Sequence, residues 1–426
     1  MTLDANAQKS TFLREMISRG HVYQITDEKG LDAYAASGVP CGYIGFDATA
    51  KSLHVGSLVQ IMNLRRLQQA GGKPIVLMGG GTTKIGDPTD KEKSRPILTT
   101  EEIASNMAGI KKNFESFLTF ASGNTFDPNS TDAIMIDNAE WLDQIKWIEF
   151  LRDYGKHFTI NKMIAQETVR RRLDNEEPYT FLEFNYMLLQ SYDFLELARR
   201  FGCRIQMGGS DQWGNIVNGI DLTRRIIDLQ VFGITTPLIT TASGGKMGKT
   251  AEGAVWLNPD MRSPYDYWQF WRNTEDADVA RFMRLFTDLP ESEISEHAKA
   301  QGAQINDAKK RLADVATAML HGEEEAKKAA AAAEAVFKGG SSEHMPTVEI
   351  ERARFASGLA IADALVAAGL VDSKGDARRQ IAGNAVKLNG EAVTDEKLQL
   401  TEATLDPEGT ARLSVGKKRH ARLKAV

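Results

Sequence analysis

The sequence predicts an α/β protein: a parallel sheet first, then a helical segment, then a small α+β module at the C-terminus. Three observations predict it. From residue 39 to 240, short apolar strand runs alternate with helical periodicity, the order that buries a parallel sheet between helices. From 263 to the alanine-rich stretch at 326–336 the pattern is helical. Beyond Gly339-Gly340-Ser341-Ser342, which has linker composition, a compact block closes the chain.

Residues 8–20 read as a helix, with Phe12, Leu13, Met16 and Ile17 on one stripe. Residues 39–46 form a strand feeding a turn at Asp47. A helix is expected to begin near Ser52 and run to Gln69, where Gly71-Gly72 ends it. Ile75, Val76 and Leu77 mark a buried strand over 74–78, followed by three glycines. Strand, helix, strand over this distance is a βαβ unit, whose ligands gather at strand C-termini. No G-x-G-x-x-G lies at its first turn, which disfavours a nicotinamide-dinucleotide enzyme. Residues 133–136 form another buried strand, ending at Asp137-Asn138. Helical pattern covers 141–172 with an interruption at Gly155, and 181–201 is strongly amphipathic. Residues 203–207 read as a strand with Gly208-Gly209-Ser210-Asp211-Gln212 at its end, and 237–240 as one more strand. In the last block Ser373 opens a helix carrying Lys374, Arg378 and Arg379, and the strand holding Lys387 ends in Asn389-Gly390, a hairpin signal.

A chain of 426 residues and 47.0 kDa has room for several domains with full cores. At 42% hydrophobic and 26% charged it has the composition of an ordinary soluble protein. No apolar run reaches the roughly 18 residues of a membrane span, and the first residues lack a basic, apolar leader, so a cytoplasmic protein without membrane contact is expected. Cys41 and Cys203, the only cysteines, are too few for a disulfide framework and are expected to be small buried thiols. Net charge is −5, unevenly spread: residues 351–426 hold 13 Lys and Arg against 10 Asp and Glu. The cluster Lys417-Lys418-Arg419 reads as phosphate contact or as a solubilising end.

Two stretches carry chemistry. Asp47-Ala48-Thr49-Ala50-Lys51-Ser52-Leu53-His54-Val55-Gly56-Ser57 is a turn entering a helix, with Gly56 where backbone must approach a ligand. Lys246-Met247-Gly248-Lys249-Thr250 is a loop with two cations and a hydroxyl. A helix N-terminus on one side and paired lysines on the other would grip a polyphosphate from both ends. A phosphate-binding G-x-x-x-x-G-K-[ST] loop would need glycine at Ser243, and residues 251–257 do not read as the helix it opens. Tyr186, Gln190 and Asp193 fall at i, i+4 and i+7, so one helix face carries a phenol, an amide and a carboxylate. That face is a lined pocket, or a solvated face with one buried tyrosine.

The two stretches resemble the ATP motifs of class I aminoacyl-tRNA synthetases. With Tyr43-Ile44-Gly45-Phe46-Asp47, Gly86-Asp87-Pro88, Asn138-Ala139-Glu140-Trp141, the run 186–193, the run 208–215 and the C-terminal block, the chain is similar over nearly its whole length to bacterial-type tyrosyl-tRNA synthetases. The resemblance implies a Rossmann-like catalytic domain with a dimerisation insertion over 1–235. It implies a helical anticodon-contacting domain carrying the lysine loop over 236–338, a linker over 339–354 and a small RNA-binding domain over 355–426. The implied reaction joins L-tyrosine and ATP into tyrosyl-adenylate, then passes tyrosine to the 3′ terminal adenosine of tRNA(Tyr), in a homodimer. Mg2+ would ride on the ATP phosphates, with no tightly held protein-liganded metal.

Residue by residue, the resemblance puts Tyr43 and Asp193 on the substrate's phenol, and Asp87, Tyr186 and Gln190 on its ammonium. Gln212 would place its carboxylate, and Asn138 lies near it. Phenylalanine would be rejected because it leaves buried polar groups unpaired. Thr49 and His54 would stabilise the transition-state phosphates, with Lys246, Lys249 and Thr250 closing opposite. Lys91 and Arg95 match further loop cations, Asp47 and Asp211 face the nucleotide or the ammonium, and Gly56 and Ser57 complete the ATP contacts. Ser57 departs from the family, whose motif usually ends there in a second histidine. Lys374, Arg378, Arg379, Lys387, Lys417, Lys418 and Arg419 would meet RNA. The rivals are a tryptophanyl enzyme, whose substrate has no phenolic oxygen for Asp193, and a noncatalytic RNA-binding protein, which intact ATP motifs disfavour.

Overall fold

A computed structural model describes residues 3–89, 98–245, 247–250, 253–337, 346–416 and 419–426; for Lys249, Thr250, Val336 and Phe337 it describes the backbone alone. The chain divides into two compact units, 1–326 and 327–426.

The first unit is built on β1 (Gln24–Ile25), β2 (Cys41–Phe46), β3 (Lys73–Met78), β4 (Ile134–Asp137), β5 (Ile205–Gly209) and β6 (Phe232–Thr236). Their order is β1-β6-β5-β2-β3-β4, parallel throughout except for β1, which lies antiparallel on the edge. Strands buried on both faces read as continuous apolar runs, and β3 is buried at every position. Between β2 and β3 runs the helix Val55–Gln69, which buries Leu58, Ile61, Met62 and Leu64. The helix Phe181–Phe201 has a complete capping box from Thr180 and Glu183 and ends at Gly202 in the left-handed region. Its Phe194 and Leu197 join Tyr43, Ile75, Leu77 and Ile136 in the core.

Three expectations are corrected. The strand expected at 237–240 lies at 232–236 instead: Pro237 has no N–H to give to a ladder, so pairing stops before it. The helix expected near Ser52 starts at Val55, because the Ser52 hydroxyl is drawn elsewhere, accepting from the Leu257 N–H (3.2 Å) and the Asn258 N–H (3.0 Å). The helical pattern over 141–172 proves to be short pieces, among them Trp147–Asp153, Ile160–Ile164 and Glu167–Asp174.

After a small antiparallel pair, β7 (Lys249–Thr250) and β8 (Gly253–Ala254), the unit continues in helices Pro264–Arg272, Val279–Phe286, Glu291–His297 and Ile305–His321. Trp271 is wholly buried against Phe282 and Phe286. Arg65 and Arg66 of the Val55–Gln69 helix both pair with Asp288, tying these helices to the sheet. Burial, with the Arg66 charge next, pushes His21 down to about 3, so it stays neutral beside that cluster.

In the second unit β9 (Thr347–Ile350), β10 (Leu359–Ala360), β11 (Val386–Leu388), β12 (Glu391–Ala392), β13 (Gln399–Leu400), β14 (Thr410–Val415) and β15 (Arg419–Ala425) form a five-stranded sheet, β12-β11-β14-β15-β9, and a separate β10-β13 pair. Helices Ile361–Ala367 and Lys374–Ala382 complete a core of Phe355, Ile361, Leu365, Val386, Leu413 and Leu423. The hairpin falls at Asn389-Gly390, both at positive φ, joining β11 to β12.

Candidate active site

Strand order in the first sheet reverses between β2 and β5, the switch point at which open α/β sheets bind ligands. A cleft of about 520 Å³ opens there. It brings together Tyr43, Asp47, Thr49, His54, Gly56, Ser57, Asp87, Asn138, Tyr186, Gln190, Asp193, Asp211 and Gln212. The pocket alternative for the Tyr186–Asp193 face is therefore the observed one. Lys91, Arg95 and Lys246 lie outside the described residues, and Lys249 and Thr250 are placed as the backbone of β7.

At the floor stands Asp193, wholly enclosed. Its Oδ1 accepts from Trp141 Nε1 (2.7 Å) and its Oδ2 from Asn138 Nδ2 (2.9 Å). Burial raises its carboxyl to about 7, the Asp47 and Asp137 charges adding, while these two donors pull the other way. Tyr43 is 1% exposed, and its hydroxyl has no hydrogen-bond partner among the described residues. Burial and then the Asp193 charge push that phenol well above its usual range, so it keeps its proton. A buried O–H without an acceptor costs free energy. A ligand hydroxyl that accepts a hydrogen bond from Tyr43 and donates one to Asp193 would satisfy both.

Asn138 is itself held: Oδ1 accepts from the Gly81 N–H (2.8 Å), and Nδ2 also reaches Thr82 Oγ1 (3.1 Å). The glycines after β3 permit this approach; a Cβ at Gly81 would sit 2.9 Å from Leu142 Cδ1 and 3.2 Å from Asn138 Oδ1. Sequence reasoning gave no role to Trp141 or Thr82. For Trp141 a signal existed, since it follows Asn138 by three residues in a short helix and so returns to the same carboxylate. Gln206 was missed too: an amide amid the apolar run of β5, it lines the cleft with its Oε1 unpartnered among the described residues.

Higher in the cleft, polar side chains form a chain of contacts. Asp47 Oδ1 accepts from Thr82 Oγ1 (3.2 Å) and the Tyr186 hydroxyl (3.4 Å), and Asp47 Oδ2 from the Asp87 N–H (3.3 Å). Gln212 Nε2 donates to Asp87 Oδ2 (3.0 Å) and Asp211 Oδ2 (3.4 Å), while Gln212 Oε1 accepts from Gln190 Nε2 (3.1 Å). Three carboxylates in one chain of contacts make this wall suited to a cation.

The opposite end is built by the His54 turn. His54 is the N-cap of the Val55–Gln69 helix, and its Nδ1 accepts from the Gly56 N–H (3.0 Å). With Nδ1 so engaged, the neutral ring carries its proton on Nε2 as a donor. The segment after the lysine loop is stitched across this turn: Val55 N–H donates to Val255 O (2.9 Å), Leu257 N–H to Leu53 O (2.9 Å) and Val255 N–H to Gly248 O (3.0 Å). Gly248 sits at φ +85, where a Cβ would be 2.6 Å from the Gly56 nitrogen, so the two motifs meet glycine to glycine.

In the second unit Lys374, Arg378, Arg379 and Lys387 are exposed on the Lys374–Ala382 helix and β11, with Lys374 paired to Asp363 (2.6 Å) and Arg379 to Asp376 (3.3 Å). Arg419 is half-buried and donates to Leu370 O (2.6 Å). Lys417 and Lys418 lie outside the described residues.

Comparison with known proteins gives matches across the chain. Residues 40–338 match the model of the family described as tRNA synthetases class I (W and Y). Residues 337–421 match that of the tyrosine–tRNA ligase SYY-like C-terminal domain. The tyrosine–tRNA ligase of Caulobacter sp. (strain K31) is 58% identical over 98% of both chains. That of Zymomonas mobilis subsp. mobilis is 55% identical over 98% of this chain and 99% of its own. Among solved structures, a C-terminally truncated Aspergillus nidulans mitochondrial tyrosyl-tRNA synthetase superposes with a TM-score of 0.69 at 28% identity, over 78% of this chain and 96% of that one. A tryptophanyl-tRNA synthetase from Encephalitozoon cuniculi shares the fold, at 13% identity and a TM-score of 0.53, over 74% of this chain and 87% of its own.

Proposed function

The chain belongs to the class I tyrosyl-tRNA synthetases, and from that premise we propose how its residues divide the work. It activates L-tyrosine with ATP and transfers the tyrosyl group to tRNA. The observation that carries the assignment of roles is the floor of the cleft. Tyr43 has an unsatisfied hydroxyl beside an Asp193 carboxylate whose two oxygens are already oriented by Asn138 and Trp141. A tyrosine phenol bound there donates to Asp193 and accepts from Tyr43. Asp87, Tyr186 and Gln190 then hold the ammonium, with Asp47 and Asp211 alongside, and Gln212 turns the carboxylate toward ATP.

That carboxylate is already ionised at neutral pH, so no general base is needed. One of its oxygens attacks the α-phosphorus, forming the C–O–P bond as the bond to the β-phosphate breaks and pyrophosphate departs with its electron pair. Catalysis is alignment plus stabilisation of charge on the leaving group. Thr49, His54, Gly56 and Ser57 contribute this from the helix start, and Lys246, Lys249 and Thr250 from the loop, with Lys91 and Arg95 as further cations. Mg2+ enters with ATP as part of that substrate. Serine at position 57 gives one hydrogen bond where the family usually has imidazole.

The test is amino-acid-dependent ATP–pyrophosphate exchange without tRNA. Exchange is expected with tyrosine and not with tryptophan or phenylalanine. Exchange with tryptophan would overturn the reading of the pocket floor.

The chain pairs as a homodimer in this reading. Support comes from the segment 141–182, where the large apolar side chains Ile148, Ile160, Leu173 and Phe181 are 75%, 60%, 51% and 69% exposed, side chains that a partner subunit would cover. Light scattering after size exclusion is expected to give about twice the 47.0 kDa chain mass; the chain mass itself at working concentrations would contradict it. Helices from 264 to 321 and the basic residues of the second unit are assigned to tRNA(Tyr). Among the described residues no helix is long and apolar enough to cross a membrane, and the place of action proposed is the cytoplasm, where tRNA is charged.

A further inference from the structure

The lysine loop has two arms, and the site described above accounts for one. The outgoing arm, from Gly248, is stitched to the His54 turn. The incoming arm closes on itself: Met247 N–H donates to Ile239 O (3.0 Å), Thr241 N–H to Gly245 O (2.8 Å) and Gly244 N–H to Thr241 O (2.9 Å). Ile239, Thr240 and Met247 of this arm line the cleft. What holds it from behind is one short segment at the start of the Val279–Phe286 helix. Asp278 is 3% exposed; its Oδ2 accepts from the Ala242 N–H (2.7 Å) and its Oδ1 from Arg281 (2.7 Å). The same guanidinium donates to Thr240 O. Glu275 Oε1 accepts from the Ser243 hydroxyl (2.6 Å), whose oxygen lies 2.9 Å from Thr241 Oγ1.

We propose that Asp278, with Arg281 and Glu275, is a latch that positions the lysine loop for its grip on ATP. This rests on the reading that the loop closes on the phosphates. None of the three lines the cleft, so they are positioning residues. A buried carboxylate receiving a backbone N–H and a guanidinium is a strong, directional anchor. Residues 240, 242 and 243 of the arm are thereby held before ATP arrives. Without the anchor, that order must be recovered from ATP binding energy, which raises KM for ATP and lowers kcat together. The tyrosine floor at Tyr43 and Asp193 shares no residue with the latch, so KM for tyrosine stays unchanged.

Pyrophosphate exchange on the full chain tests this. Asp278→Asn keeps the shape but loses the charge toward Arg281, and is expected to lower kcat/KM for ATP by about tenfold or more. Glu275 is exposed, so its variants are not expected to disturb folding. Glu275→Ala should lower kcat/KM for ATP severalfold, and Glu275→Gln, which keeps an acceptor for Ser243, should restore most of it. Parental ATP constants in both Asp278→Asn and Glu275→Ala would overturn the latch, as would a rise in KM for tyrosine equal to that for ATP. Absence of tyrosine-dependent exchange in the parent protein would instead mark failure of the functional reading, and the latch would fall with it.

Discussion

Replacing Asp193 with asparagine is expected to lower kcat/KM for tyrosine in pyrophosphate exchange by two to three orders of magnitude, with KM for ATP unchanged. Two donors converge on this carboxylate from Trp141 and Asn138, and an amide offers one oxygen in place of two. One donor must then face an NH2 group, and the substrate phenol loses an ionised acceptor. Each hydrogen bond to a buried charged group that is lost costs about 1.5–3 kcal/mol. Tyr43→Phe is expected to cost less, about 1 kcal/mol, and to narrow the preference for tyrosine over phenylalanine, since it deletes the hydroxyl that the phenol satisfies. The pH profile has a definite sign. In the empty site Asp193 titrates at about 7, and only its ionised form accepts the phenol proton. Because kcat/KM reports the free enzyme, kcat/KM for tyrosine is expected to be level above about pH 7 and to fall toward tenfold per unit below it. Asp193→Asn should erase that acid limb. A limb that survives the substitution would assign the titration to another group.

What could be read in the sequence was whatever is encoded locally. The helix Phe181–Phe201 was legible from its amphipathic run, and the structure shows that what bounds it is local too: Thr180 with Glu183 at the start and Gly202 at the end. The turn at Asn389-Gly390 was legible for the same reason, as a dipeptide suited to positive φ. Tyr186, Gln190 and Asp193 could be put on one face by helical spacing, but whether that face met solvent or a pocket depended on Tyr43 and Asn138, which arrive from other strands. Nonlocal contacts account for the misses at the site, whereas the strand misplaced at 237–240 has a local cause in Pro237. A helix start near Ser52 is the local reading, yet the N–H groups of Leu257 and Asn258, some two hundred residues on, donate to its hydroxyl, and His54 is the cap. The bond from Trp141 to Asp193 spans 52 residues. Likewise the two ATP motifs were visible separately, while the backbone pairing of 53–55 with 255–257 that joins them leaves no mark in side-chain composition.

That pairing gives His54 two duties, and a pair of substitutions separates them. His54→Ala removes both the cap on the Val55–Gln69 helix and the Nε2 donor. It is expected to lower kcat for exchange by about 10²–10³, the usual loss for one donor to a developing anion, and to lower stability by about 1 kcal/mol for the lost cap. His54→Asn offers an oxygen to the Gly56 N–H at the same N-cap position, so thermal stability should return toward the parent value. Its amide is shorter than imidazole and its acceptor is committed to the helix, so the rate should stay low. KM for tyrosine should be unaffected in both, because the floor of the cleft is built by other residues. Lys249→Ala, acting from the loop opposite, is expected to give a similar loss in kcat. Melting curves and exchange rates for the two His54 variants decide the matter. Recovery of stability without rate assigns the imidazole to the departing pyrophosphate, whereas recovery of both would reduce His54 to a helix cap and leave the transition state to the lysines.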